Sequence, residues 1–572
     1  MFNSKKTQLF KTTKKTSGST MNIPDNPFLK TGMKKSVTTN KLGNGATKLT
    51  TTGSDFVDDF GKVTNYKAPR SFEEISKTVS LQWSQNPFLT ICMIFYIRMI
   101  TRVISLWDGT KTSETQRGQG LKHEGIFRMI WVAINAPDTF WKNIVLFISI
   151  GSWKDIITML SYDLQYNGWE GRKLDWEKFG KLILAGLENP NHSELIKKYL
   201  PQIKANSQCT TLEAQADNLI GKWICSLLFG TKGEESGTTY KRYRLLKSKG
   251  TAHQWQQLIS QGKHNLINFD TVHGRALSKM VSSKYLANQG LTEKYSKWIA
   301  SKPVAKYTGY VYELFTPLGI NTHMSAKNLK EHEKATINKQ FLNLVEVAKN
   351  GMNKEDSGFI GVLDTSGSMT SLVPGTKVSA YSVGKSLTLF MSYLLEGRFN
   401  NCYLEFSNQT IMKQWRGDNP IDQLCNDNSS IIADTNFLSV ANHFGKILKE
   451  GVSESEFPKG IVCFSDGCFN STHDNKSNFN NLKSRLLQFG FSRNYVNNFK
   501  VILWDIPNSA YGKSQTAFED FADTPNLFHI SGLDASALAF ITGTKNMTSI
   551  PKNSDELMQA ALGQEIMKMI EV

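Results

Sequence analysis

The 572-residue sequence lacks the marks of several protein classes. Met1 to Phe10 carries charge but no apolar stretch, so no secretory signal is expected. The seven cysteines are odd in number and include no C-x-x-C pair. That excludes a disulfide framework and a zinc ribbon, and it fits reduced cytosol. The most apolar window, Phe88 to Trp107, is interrupted by Arg98 and Arg102. Each arginine would cost about 2.5–3.5 kcal/mol at a bilayer centre, so the window reads as a helix buried in protein, with no membrane contact. No Gly-x-Ser-x-Gly, HExxH or kinase set is present. Gly384-Lys385-Ser386 ends like a P-loop but has Ser379 where the first glycine must stand, and it reads as mid-helix. His323, His332, His443 and His473 have no metal-ligand spacing. No catalytic role is expected.

What the chain does have is apolar content and positive charge. At 40% hydrophobic and 11% aromatic it can bury a sizeable core, and its length allows two or more domains. The net charge of +17 is unevenly placed, with about +9 in residues 1–50, +13 in 51–350 and −5 in 351–572. Two basic segments before an acidic one point either to a polyanion partner for the first two and separate work for the third, or to a solvated lysine-rich surface.

Residues 1–70, rich in Thr, Lys, Ser, Gly and Asn with apolar clusters at Asn26–Leu29 and Phe56–Phe60, read as a flexible basic arm that can be pinned against the next domain. Residues 71–350 turn helical, beginning with the capping signal Ser71-Phe72-Glu73-Glu74. Amphipathic stretches follow at Gly125–Ala136, Thr139–Ile150, Trp153–Tyr162, Trp176–Leu187, Leu212–Phe229, Tyr240–Lys249 and Trp255–Ile267, with Gly, Pro and Asn in the gaps. Stacked helix pairs fit, as a HEAT-like solenoid or ring of about six or seven pairs. From 355 to 545 apolar strands alternate with helices, which predicts a doubly wound, mostly parallel sheet with one antiparallel edge at Gln409–Trp415. A helix from Val378 to Arg398 and another near Ala517–Ala522 belong to this unit, as do the apolar stretches Leu527–Ser531 and Ala535–Ile541. Residues 546–572 read as a C-terminal helix.

In doubly wound sheets ligands sit at the carboxyl ends of strands near the switch in strand order. Three segments here place oxygen donors there: Asp364-Thr365-Ser366-Gly367-Ser368, Asp434-Thr435-Asn436 and Ser465-Asp466-Gly467. Carboxylates and hydroxyls of this kind suit Mg²⁺ and are poor for zinc. Asp364-x-Ser366-x-Ser368 with Thr435 and Asp466 resembles the metal-ion-dependent adhesion site (MIDAS) of von Willebrand factor A domains. The resemblance implies Ser366, Ser368 and Thr435 as direct or near-direct ligands of Mg²⁺ or Mn²⁺. Asp364 and Asp466 would bind directly or through water. It also implies a protein partner that completes the metal sphere with an acidic side chain. The family commonly has glycine before the threonine, where Ala433-Asp434 stands here.

The Gly151-Ser152-Trp153-Lys154-Asp155 segment resembles TROVE-type helical domains, with Asp155 read as pinning a helix turn. Lys198 to Pro201, Tyr243-Arg244 and Asn268 to Arg275 resemble an uncharacterised TROVE-like family of eukaryotes and large viruses. The order of domains resembles that of Ro-type ribonucleoproteins, which implies helical repeats that bind small structured RNA. Lys241, Arg242, Tyr243, Arg244, Lys247 and Lys249 form the leading candidate for that contact, since cations and aromatics together suit phosphate contact and base stacking. A helix with Tyr243 and Leu246 buried explains the same pattern. Lys263, His264, His273, Arg275, Lys279 and Lys284 form a weaker second cluster. The expected function is a cytoplasmic, non-catalytic RNA-binding scaffold. The alternative is a protein-only adhesion or assembly module of a virion or cellular complex.

Overall fold

The computed structural model describes residues 39–41, 47–49, 54–62, 70–230, 237–250, 253–319, 324–352, 358–429, 436–466, 478–506, 524–533 and 551–572. An α-helical region is followed by an α/β unit, with the change falling where the periodicity changes.

Local signals set the helix ends. Helix Phe72–Gln85 starts at Ser71, whose hydroxyl accepts from the Glu74 amide while the Glu74 carboxylate accepts from the Ser71 amide. Two otherwise orphaned donors are satisfied at once. Asn86 caps the next helix, Pro87–Arg98, through the Leu89 amide at 2.9 Å. Every residue from Thr90 to Arg98 is buried, the pattern of a helix enclosed by protein on all sides. Among the described residues no helix is long and apolar enough to cross a membrane.

Helices Lys122–Asn135, Pro137–Ile150, Trp153–Asn167, Trp176–Glu188, Ser193–Tyr199, Leu212–Phe229 and Gly237–Ser248 follow. Asp155 has the pinning role expected of it: it accepts from the Ser152 amide at 3.0 Å and pairs with Arg98. The Trp255–Ile267 stretch is divided rather than continuous. Helix Gln254–Ser260 stops before Gly262, which sits at φ +70°, and a 3-10 turn at His264–Leu266 follows. Residues 267–305 build a small core of their own around Phe269, Leu277 and Tyr295.

Within residues 1–70, helix Asp55–Lys62 carries the Phe56–Phe60 cluster into contact with the helical region. Phe56, Val57 and Phe60 are buried, and Asp59 lies 2.7 Å from Arg128 and 3.0 Å from Arg70. Eight residues with three buried apolar side chains offer little for composition to register. Their order depends on partners far along the chain. Upstream, β1 (Thr39–Lys41) and β2 (Thr47–Leu49) pair antiparallel.

The α/β unit contains β3 (Phe359–Asp364), β4 (Cys402–Phe406), β5 (Thr410–Gln414), β6 (Gly460–Ser465), β7 (Lys500–Asp505) and β8 (Leu527–Ser531). Their order is β5-β4-β3-β6-β7-β8. All neighbours in this sheet are parallel except β4 and β5, so the antiparallel edge falls where the sequence pattern puts it. After β3 the chain adds β4 on one side and later β6 on the other, which puts the switch point between β3 and β6. Both faces are covered. Gly361 and Leu363 meet Thr388 and Gly384 of helix Ala380–Leu394, and on the other face Phe406 packs against Phe437. That helix is shorter than the expected Val378–Arg398, ending before Gly397 at φ +79°. The expected helix near Ala517–Ala522 and the apolar stretch Ala535–Ile541 lie outside the described residues.

One apolar core runs through both regions. Phe341, on helix Glu331–Gly351, packs edge-on against Phe390 and Tyr393 at 6.2 and 5.1 Å. The expected C-terminal helix is Ser554–Leu562, which with helix Asp55–Lys62 packs beside β8. The residues after it return to the helical region. Arg117 N donates to Gln564 Oε1 at 2.6 Å, Ser113 N to Glu565 at 2.9 Å, and Glu571 N to Asn143 Oδ1 at 3.1 Å.

Candidate functional site

The switch point brings predicted oxygen donors together. Asp364 is the last residue of β3, and Asp466 directly follows β6. Ser366 N donates to Asp364 Oδ1 at 2.8 Å, a tight loop that turns the Ser366 and Ser368 hydroxyls to within 3.0 Å of each other. Asp364, Ser366 and Asp466 are buried, Ser368 is half-buried, and a side chain at Gly367 would point into open space. The loop tip at Gly367 is thus open to solvent beside these donors. Thr435, with Ala433 and Asp434 before it, lies outside the described residues. Asn436 donates through its amide to the carbonyl of Ser407 at 2.7 Å, one residue past β4, the strand that pairs with β3.

Burial and the charge of Asp466 push the Asp364 carboxyl well above the ordinary carboxylate range. Two buried carboxylates at one rim repel each other, and a divalent cation between them removes that cost. Two acids with flanking hydroxyls supply hard oxygens, the donor set that fits Mg²⁺ or Mn²⁺. Among the described residues no group of three or more His, Cys, Asp or Glu side chains is placed to hold a metal. A site at this rim therefore depends on the serine hydroxyls as well as on Asp364 and Asp466.

Ser465, expected at this strand end but not assigned a role, ties the site together. Its hydroxyl donates to Asp364 Oδ2 at 2.6 Å, tying the end of β6 to the end of β3. The only sequence signal is a serine as the last strand residue, directly before Asp466. A buried charge network is equally hidden from the sequence pattern. Lys385, fully buried in the middle of helix Ala380–Leu394, lies 2.9 Å from Asp427. Tyr403 donates to Glu405 at 3.1 Å and to Asp427 at 2.5 Å, and Lys413 lies 2.9 Å from Glu405. Ser429 bonds both carboxylates. Lys385 is thus a structural cation in mid-helix, in keeping with the glycine that its P-loop-like segment lacks.

The predicted nucleic-acid residues divide. Lys241, Arg242, Arg244 and Lys249 are exposed on or just beyond helix Gly237–Ser248, and Arg242 stacks over Phe229 at 4.6 Å. Two others are corrected. Tyr243 is fully buried, with its hydroxyl donating to the Pro201 carbonyl at 3.0 Å, so its ring is not available to a base. Lys247 donates to the Lys198 and Leu200 carbonyls and is half-buried, which commits it to the fold. Both follow from how this helix seats on Lys198–Pro201, which residue type alone does not show.

No protein-family model matches the chain, and no curated protein matches it.

Proposed function

We propose that the protein is a non-catalytic RNA-binding scaffold of the ribonucleoprotein type that recruits a protein partner through Mg²⁺ or Mn²⁺. In this reading the α/β unit is a von Willebrand factor A domain. Asp364, Ser366, Ser368, Thr435 and Asp466 hold the cation, and a partner's acidic side chain completes its sphere. The helical region is a TROVE-like, HEAT-like solenoid or ring that holds structured or small RNA, and the whole works in the cytoplasm. The reading rests chiefly on one observation: Asp364, Ser366, Ser368 and Asp466, separated by about a hundred residues of sequence, meet at the strand switch point. The RNA half is supported by four exposed cations on or beside a helix that carries no acidic residue. Six cysteines among the described residues, all free, fit a reducing compartment.

The alternative, a protein-only assembly module, gains from the burial of Tyr243 and the commitment of Lys247, which thin the predicted RNA face. Co-purification separates the two. In the scaffold reading the purified chain carries nucleic acid, seen as a high 260/280 absorbance ratio that collapses after ribonuclease. Protein that is clean from the outset and still captures a partner only with Mg²⁺ present supports the assembly module.

A further inference from the structure

The helical region holds a recess that neither the metal site nor the Lys241 helix accounts for. It has a volume of about 250 Å³ and is lined by His273, Gly274, Arg275, Lys306, Thr308 and Gly309. Two segments form it. Gly274 opens helix Gly274–Ser282, and its amide donates to the Lys306 carbonyl at 3.0 Å, which lays the 306–309 strip along the helix start. Both glycines serve the shape. Gly274 sits at φ +56°, a backbone region that favours glycine. At Gly309 a Cβ would come within 2.4 Å of the Tyr307 hydroxyl and 2.8 Å of Glu313.

The lining carries two cations, Arg275 and Lys306, together with the His273 imidazole and one hydroxyl, that of Thr308. Glu313 holds the Arg275 guanidinium through Nε at 2.8 Å and Nη2 at 2.7 Å. Tyr307 donates to the same carboxylate, so the arginine is positioned before any ligand arrives. Lys306 is exposed and makes no ion pair among the described residues. Asp270, the other nearby acid, is engaged by Lys302 at 2.6 Å. Burial, with the Lys306 ammonium and the neighbouring His253 ring, holds the His273 imidazole below its ordinary value, more than Asp270 offsets, so the ring serves as a neutral hydrogen-bonding group. Positive charge thus outweighs negative around a concave, hydroxyl-bearing space. That combination suits a phosphate group, whose several oxygens can be shared among a guanidinium, an ammonium and a hydroxyl. The volume falls just under the roughly 300 Å³ at which ligand pockets usually begin, so the ligand is small or only its end enters.

We propose that this recess binds a phosphomonoester, supplied either by a free phosphorylated metabolite or by the phosphorylated end of an RNA. The assignment does not depend on the metal site or on the Lys241 helix.

The test uses the full chain. Adenosine 5′-monophosphate and adenosine are titrated by calorimetry into wild type and Lys306→Glu, a change at an exposed side chain. The expected result is that the monophosphate binds wild type at least tenfold more tightly than adenosine does, and that Lys306→Glu loses this preference. His273→Gln with Thr308→Val should reduce it in the same direction. A second arm compares an RNA hexamer bearing a 5′-phosphate with the same hexamer bearing a 5′-hydroxyl. A preference for the phosphorylated hexamer that Lys306→Glu removes identifies the RNA end as the source. Monophosphate binding without that preference identifies a metabolite. Equal binding of adenosine and its monophosphate, or a preference unchanged in Lys306→Glu, overturns the proposal. RNA bound equally with and without the 5′-phosphate, in a chain indifferent to the monophosphate, also overturns it while leaving the RNA scaffold standing.

Discussion

The Arg98 guanidinium lies 2.6 Å from Asp155, with both side chains out of water, and joins the end of one helix to the first turn of another. Arg102 sits close by, donating to the Ser149 and Gly151 carbonyls. The single carboxylate therefore offsets a buried arginine and caps a helix at once. Asp155→Ala should cost about 3–5 kcal/mol in urea unfolding, because it strands Arg98 without a counter-charge. Replacing both partners with apolar residues, Arg98→Met with Asp155→Leu, should cost less than Asp155→Ala alone. A double variant no more stable than the single one would count against this account.

Acid should weaken the attachment of helix Asp55–Lys62. Burial alone would raise the Asp59 carboxyl, but Arg128 and Arg70 outweigh it and hold the group well below the usual carboxylate range. A group depressed in the folded state contributes stability above its unfolded value, about 3.9, and loses it as pH falls further toward the folded value. Asp59→Asn should therefore be much less stable than wild type at pH 7, and the gap should narrow below about pH 4. A gap of equal size at pH 7 and pH 3 would rule this out.

Mg²⁺ or Mn²⁺ should raise the melting temperature of the wild type with increasing concentration, reaching about 2.7 kcal/mol of stabilisation at a hundred times the dissociation constant. The Asp364→Ala, Ser366→Ala double variant should not respond. Ser465→Ala, which frees one Asp364 oxygen from its donor, should respond with a shifted midpoint. Equal shifts in all three proteins would reject the site.

Changing Lys241, Arg242 and Arg244 together to Gln should weaken RNA binding about evenly across sequences and flatten its salt dependence, since phosphate contacts position without reading bases. These side chains are exposed, so the melting temperature should hold. Lys247→Gln should do the opposite, lowering stability by about 1–3 kcal/mol through the two carbonyls it leaves without a donor. Loss of stability in the triple variant would show the helix face to be structural.

Lys385→Met should destabilise the α/β unit by about 3–5 kcal/mol, because Asp427 and Glu405 would then share the buried space with Lys413 alone. The measurement is urea unfolding followed by tryptophan fluorescence. An unchanged midpoint would mean that the network adds nothing.

Features that depend on near neighbours in the chain were legible in the sequence. The Ser71 cap, the antiparallel edge at β5, the helix-to-sheet change near 355 and the strand-end acids Asp364 and Asp466 all follow from local pattern. Features that depend on pairing across the fold were not. Helix Asp55–Lys62 is held by Arg128, and Lys247 is spent on the Lys198 and Leu200 carbonyls. Lys385 is neutralised by Asp427. In each case residue type gave the chemistry, and only the fold supplied the partner. The meeting of Asp364 with Asp466 could be anticipated because strand ends in a doubly wound sheet converge by topology. The Ser465 bond could not, since it depends on one rotamer across two strands.

The return of the last residues to the helical region sets a schedule for synthesis. Ser113, Arg117 and Asn143 wait for partners 428 to 452 positions later in the chain. A ribosome adding roughly 5–20 residues per second takes tens of seconds to cover that distance. Until then the nascent helical region holds polar backbone at 113 and 117 without its final acceptors. A chain truncated before Gln564 never gains them. Closure of these bonds therefore waits until residues 564–571 have been made.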